Sequence, residues 1–170
     1  MSPAAAAPEP GELATLRRWL ADFRAAVERK TAGLDPEQLA RRSVPPSRLS
    51  LLGLVRHLAQ LEHHWFRRVL QQHPEETQLF VVDGDWESQF DGAVADPAVV
   101  AEAFATWRDT CAQADAWLDG LPDEALAFVL DPEDRISSIR DVFVQVLQEY
   151  ARHLGHADLL REAIDGQTGE

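Results

Sequence analysis

Apolar residues recur along this chain at spacings of three and four, the period of an α-helix with one buried face, in four separate stretches. The first runs from about Glu12 to Ala32, with Leu13, Leu16, Leu20, Phe23 and Val27 on one face. The second, from about Leu51 to Gln72, carries Leu54, Leu58, Leu61, Trp65 and Val69 as its inner row. The third, Pro97 to Leu118, places Val100, Phe104, Trp107, Cys111, Ala114 and Trp117 together, and Gly120 stops it. The fourth opens at Ser138, where Ser138-Ile-Arg-Asp141 has the form of a capping box with Asp in the acidic position, and Asp165-Gly166 closes it. Between the first two helices Pro45-Pro46 interrupts regular structure, and Ser47 or Ser50 is placed to cap the second.

The pattern predicts an all-α protein, a four-helix bundle whose long connection from about His73 to Asp96 allows a crossover between the second and third helices. A connection of that length is also where a compact domain places residues that cover a site. The first eleven residues, MSPAAAAPEPG, lack a basic region and are broken by prolines. They are expected to be a disordered leader before one domain over 12–170. Trp19, Trp107 and Trp117 fall on helical stripes and read as core.

The fourth helix departs from an ordinary apolar stripe. Its inward row reads Val142, Val146, Glu149, His153, Ala157, Leu160 and Ile164, so a carboxylate and an imidazole occupy successive turns of a core-facing face. A buried ionised carboxylate without a partner costs several kcal/mol, and an arginine or a metal ion can compensate it. His57, sharing a face with Leu54, Leu61 and His64 on the second helix, can supply a third donor. Two ligands on one helix and one on a facing helix is how helical proteins assemble metal sites, and three protein ligands leave a coordination position open for chemistry. Two histidines and a glutamate suit Zn²⁺, and would also accept Ni²⁺, Fe²⁺ or Mn²⁺. His156, three residues beyond His153, gives a competing set of His57, His153 and His156, and spacing alone leaves both open. His64 and His156 are further candidates for holding the ligands or contacting substrate.

Composition narrows the partners. A net charge of −13, with no cluster of basic residues, disfavours nucleic acid and anionic membrane surfaces. No apolar run approaches the ~20 residues that span a bilayer. Cys111 is the only cysteine and sits on an apolar stripe, which makes it a small core residue and fits a cytoplasmic setting. The Asp83-x-Asp85-x-Glu87 stretch begins like a calcium loop but has Ser88 where glycine is required. Nucleotide-binding glycine loops and the serine-hydrolase elbow are absent.

Three separated segments, SRLSLLGLVRHLAQLEHHWF (47–66), the DGDW tetrad (83–86) and EYARHLGHADLLREAIDGQTG (149–169), together resemble the DinB-like superfamily, and within it the mini-circle-protein branch. The resemblance implies a four-helix bundle of up-down-down-up course, a homodimer, and a metal site with one ligand on helix two and two on helix four. Carried onto this chain the ligands are His57, Glu149 and His153, with His156 outside the set. Many members have histidine where this chain has Glu149. The mycothiol-dependent maleylpyruvate isomerase, whose metal-binding domain is similar, has glutamate there. Its relatives use mycothiol, bacillithiol or glutathione, so the resemblance implies a metal-dependent enzyme that activates a low-molecular-weight thiol, mycothiol-like, for transfer to a small electrophile. Two rival expectations share the site: a hydrolase using a metal-bound hydroxide, and a non-enzymatic dimeric stress protein whose metal ties helices two and four.

Overall fold

The computed structural model describes residues 11–130, 136 and 138–168. Residues 1–10 of the expected leader lie outside the described residues. Six α-helices account for the architecture: α1 (Glu12–Thr31), α2 (Pro36–Ala40), α3 (Leu51–Glu62), α4 (Ser88–Asp91), α5 (Pro97–Leu118) and α6 (Ile139–Asp165). Among the described residues there are isolated β-bridges, at Val82–Asp85 and Val129–Ser138, and no strand; the protein is all-α.

Local chemistry sets the helix boundaries. Ser50 caps α3 by accepting from the Gly53 amide at 3.1 Å, and Asp96 caps α5 through Ala98 at 2.7 Å. At α6 the expected capping box forms: Asp141 Oδ2 accepts from the Ser138 amide at 3.0 Å, and Ser138 Oγ from the Asp141 amide at 3.2 Å. Gly166, with φ of 78°, ends α6 in the left-handed conformation that glycine adopts without a Cβ penalty. The short α2 opens on Asp35 and Gln38, which cap each other reciprocally. Four or five residues make barely one turn, so neither α2 nor α4 leaves a periodic trace in the sequence.

The long helices pack as two principal pairs, α3 on α5 and α1 on α6, with α3 also against α6 and the α4 turn. Their shared interior holds Leu20, Leu58, Phe66, Trp107, Leu118, Phe143 and Tyr150, each 2% exposed or less. One part of the expected seam is displaced. After Glu62 the helix continues as π-helix over His63–Leu70, whose wider i→i+5 turn rotates the face. Phe66 and Leu70 are buried there, while the expected inward residues Trp65 and Val69 are half-covered. Trp19 is a second correction: it is 46% exposed, with Arg18 over its ring and Phe23 beside it. Position 19 flanks the Leu16–Leu20–Phe23 row, and the stripe read from spacing was one position wider than the surface that α1 buries.

A buried polar network crosses the interior. Arg24 on α1 holds both oxygens of Glu62 through Nε and Nη2, each at 2.8 Å, and Glu62's side chain is 0% exposed. Tyr150 donates its hydroxyl to the same carboxylate at 2.8 Å and accepts from Trp107 Nε1 at 2.9 Å. Cys111 Sγ lies 3.6 Å from Glu62. All four long helices contribute to this one cluster, which fixes α3 and α6 relative to each other.

A second polar row on α3 anchors the connection from 73 to 96. Arg56 donates to the Gln89 carbonyl at 2.8 Å, Gln60 bonds Gln78 and the Leu79 amide, and His63 meets the Thr77 carbonyl at 3.0 Å. Spaced by four and three residues, these side chains lay the connection along α3.

Candidate metal centre

The α3–α6 contact brings three of the sequence-predicted donors together. His57 projects from the middle of α3; Glu149 and His153 project from successive turns of α6. One donor atom from each lies within 4.8 Å of the other two. Glu149 Oε2 stands 3.3 Å from His153 Nε2 and 3.8 Å from His57 Nε2, and the two imidazole rings meet edge to face at 4.5 Å between centroids.

These separations are informative. A direct N–H···O hydrogen bond spans about 2.7–3.2 Å, shorter than either contact. Two donors each about 2.0–2.1 Å from one tetrahedral ion stand about 3.4 Å apart. His57 Nε2 is buried and has no hydrogen-bond partner, which for a polar atom demands an explanation. The donor set, two imidazole nitrogens and one carboxylate oxygen, fits a divalent cation. Glu149 has a weak arginine partner as well: Arg152 Nη1 lies 3.5 Å from Oε1, but Arg152 is half exposed. The side chains of His57 and Glu149 retain 21% and 14% exposure, while His57 Nε2 itself is buried.

Electrostatics favour neutral rings. Burial pushes His153 down to about 3, helped by the neighbouring His57, His156 and Arg152. Burial also lowers His57, against the opposing pull of Gln89 and Glu149. A neutral imidazole keeps the lone pair that a metal requires.

The other histidines take distinct places. His156 Nδ1 stands 3.3 Å from His153 Nδ1, on the nitrogen opposite the one that faces Glu149. It therefore lies behind His153 and outside the converging group. His64 lies two turns beyond His57, its ring against Trp65 and 6.5 Å from Trp86, with Nδ1 buried and unpartnered. His73 pairs with Glu75 at 3.0 Å on the surface. His73, Glu75 and Glu76 also approach one another within 4.8 Å, but Arg67 takes up Glu76 at 2.7 Å.

The connection supplies a residue that periodicity did not reveal. Gln89, on α4, puts Oε1 3.2 Å from His57 Nδ1, and Phe90 stacks over the His57 ring at 5.4 Å. A lone glutamine in a polar loop carries no sequence signature. A cleft of about 580 Å³ among Leu70, Trp117, Phe128, Leu130 and Ile139 contains none of the three donors.

The fold and the geometry thus define a class: an all-α protein with a two-histidine, one-carboxylate cluster between helices. The chain belongs to the mycothiol-S-transferase family, whose profile matches residues 15–166. A crystal structure of a conserved protein of locus from Enterococcus faecalis shares the fold, with a TM-score of 0.68 and 19% identity over 94% of this chain and 100% of that one. No curated protein matches the chain. The family places the protein among mycothiol-related transferases. Among the described residues no helix is long and apolar enough to cross a membrane.

Proposed function

We propose that this protein is a metal-dependent thiol S-transferase: His57, Glu149 and His153 would hold one divalent cation, Zn²⁺ ahead of Ni²⁺, Fe²⁺ or Mn²⁺, and a mycothiol-type low-molecular-weight thiol would be transferred to a small electrophile. The observation that carries this reading is the buried, unpartnered Nε2 of His57, aimed at a carboxylate and a second imidazole spaced as ligands. When bound, the cation supplies the positive charge that favours a thiolate over a thiol beside it. The chain's own residues prepare that charge. Two neutral histidines add nothing to it and Glu149 removes one unit, so a dication keeps a net positive charge. Burial holds His57 and His153 neutral, and His156 and Gln89 occupy their outer nitrogens, which orients the rings. Phe90 covers one face of His57 and keeps water from it. Trp86, half exposed in the same connection, and His64, 6.5 Å from its ring, would be the residues to contact the electrophile.

Metal analysis of untagged protein is the first test, wild type beside Glu149→Ala and His156→Ala. About one equivalent is expected in wild type and His156→Ala, with loss in Glu149→Ala, because one open three-ligand site holds one ion. No metal in wild type after reconstitution would overturn the reading. Thiol titration of a cobalt-substituted sample then tests the substrate class: a spectral change at millimolar thiol is expected, and turnover without any thiol would move the function to hydrolysis.

A further inference from the structure

Gln89 is 2% exposed, although it lies on a four-residue turn within a largely surface connection. Its carboxamide has two partners with opposite requirements. Nε2 donates to the Trp86 carbonyl at 2.8 Å, and Oε1 stands 3.2 Å from His57 Nδ1. A carbonyl only accepts, so the amide nitrogen must face Trp86 and the oxygen must face His57. An oxygen at that position also only accepts. His57 Nδ1 therefore carries the ring proton, and the lone pair sits on Nε2, the atom that faces Glu149 and His153 without a hydrogen-bond partner.

The turn that presents Gln89 is held by the residue next to His57. Arg56 donates to the Gln89 carbonyl at 2.8 Å while its guanidinium lies 4.2 Å over the Phe80 ring. A Cβ at Gly92 would stand 2.6 Å from Arg56 Nη2, so the absence of a side chain there leaves room for this grip. Adjacent residues of α3 thus hold the turn by its backbone and are held by its side chain.

We propose that Gln89 is a positioning residue: by accepting from Nδ1 it selects the His57 tautomer whose Nε2 can ligate, and so sets the affinity of the site for a divalent cation. The inference rests on the metal site proposed above and adds to it the device that makes His57 ready before the ion arrives.

The test compares wild type, Gln89→Met and Gln89→Glu for Zn²⁺ affinity by competition with a chelating indicator, alongside nitrogen-15 spectra of His57 in metal-free protein. Methionine keeps the length and loses the strong acceptor, and a 10–100-fold weaker affinity is expected, as for other residues that orient metal ligands. Glutamate keeps an acceptor toward Nδ1 but loses the donor to the Trp86 carbonyl, so it is expected to bind more tightly than Gln89→Met, with the Nδ1-protonated tautomer retained. In Gln89→Met the spectra should show a tautomer mixture while the metal-free melting temperature stays near that of wild type. Unchanged Zn²⁺ affinity in Gln89→Met would overturn the inference and leave the site standing. Equal weakening in both variants would also overturn it, since the acceptor would not be what matters. Should Gln89→Met fail to fold, a tautomer mixture at His57 in metal-free Gln89→Glu, where the acceptor is kept, decides against the inference on its own. Wild type that binds no Zn²⁺ would overturn the site and the inference together.

Discussion

Replacing Arg24 by methionine strands a carboxylate in the protein interior, and the structure allows the cost to be worked out. Glu62 has a side chain with no exposure and receives two 2.8 Å bonds from Arg24, one 2.8 Å bond from Tyr150 and a weak contact from Cys111. Methionine fills much of the arginine's volume, so the loss is electrostatic and leaves little cavity. Breaking a buried pair from one side costs about 3–5 kcal/mol, because the remaining charge has no compensation. Asp115, the other partner of Arg24, is half exposed and adds little. For a domain of this size each kcal/mol lowers the melting temperature by about 2–4 °C, so a fall of about 6–20 °C is expected. Urea unfolding followed by circular dichroism measures the free energy directly, with an unchanged m-value showing that the folded state is the same. The double variant Arg24→Met/Glu62→Gln removes the charge, keeps an acceptor for Tyr150, and should recover at least half of the loss. A cost below about 1 kcal/mol, the scale of an exposed ion pair, or no recovery in the double variant, would refute the argument.

Other expectations are equally direct. In metal-free protein His153 stays neutral down to about pH 3, whereas the unfolded chain takes up its proton near its usual 6.5. Its contribution to stability is therefore complete above pH 6.5 and is lost as pH falls toward 3. Urea titrations at pH 7.5 and 4.5 should show a larger loss in wild type than in His153→Gln; equal losses would contradict the assignment. Gly166→Ala forces an L-residue into a left-handed cap and should cost about 1–2 kcal/mol, read as a lower urea midpoint. No change there would mean that the end of α6 unwinds freely.

The long helices were legible because each repeats its apolar face over several turns, and the caps at Ser50, Ser138 and Gly166 were legible because their chemistry is local. The all-α class follows from both. What escaped the sequence was register and tertiary pairing. From the buried Leu61, Trp65 and Val69 continue a 3.6-residue period while Phe66 and Leu70 follow the wider turn, and Phe66 is the one that packs against Phe143. The site divides in the same way. Glu149 and His153 stand out because charge on an apolar stripe needs a reason, yet Glu62, beside Leu61 in an apolar stretch, presents the same anomaly with no second donor one turn along the helix to mark it. The chain answers it twice: at Glu62 with an arginine from α1, at Glu149 with imidazoles from α3 and α6. Spacing could not say which carboxylate had which partner. Spacing could not choose between Glu149 and His156 either, and the fold puts His156 behind His153. Gln89 was invisible because its role exists only once the connection is laid on α3.

The position of Cys111 has a consequence for the protein's own chemistry. Cys111 is 9% exposed, and burial together with the charge on Glu62 raises its thiol pKa far above that of a free thiol. It therefore stays protonated at neutral pH, although it lines a shallow cleft with Arg24, Trp107 and Asp115. A transferase that brings reactive sulfur and electrophiles together risks becoming its own substrate, by alkylation or by mixed-disulfide formation. The only protein sulfhydryl is thus held in its less reactive, protonated form, which would spare it in the thiol transfer proposed above.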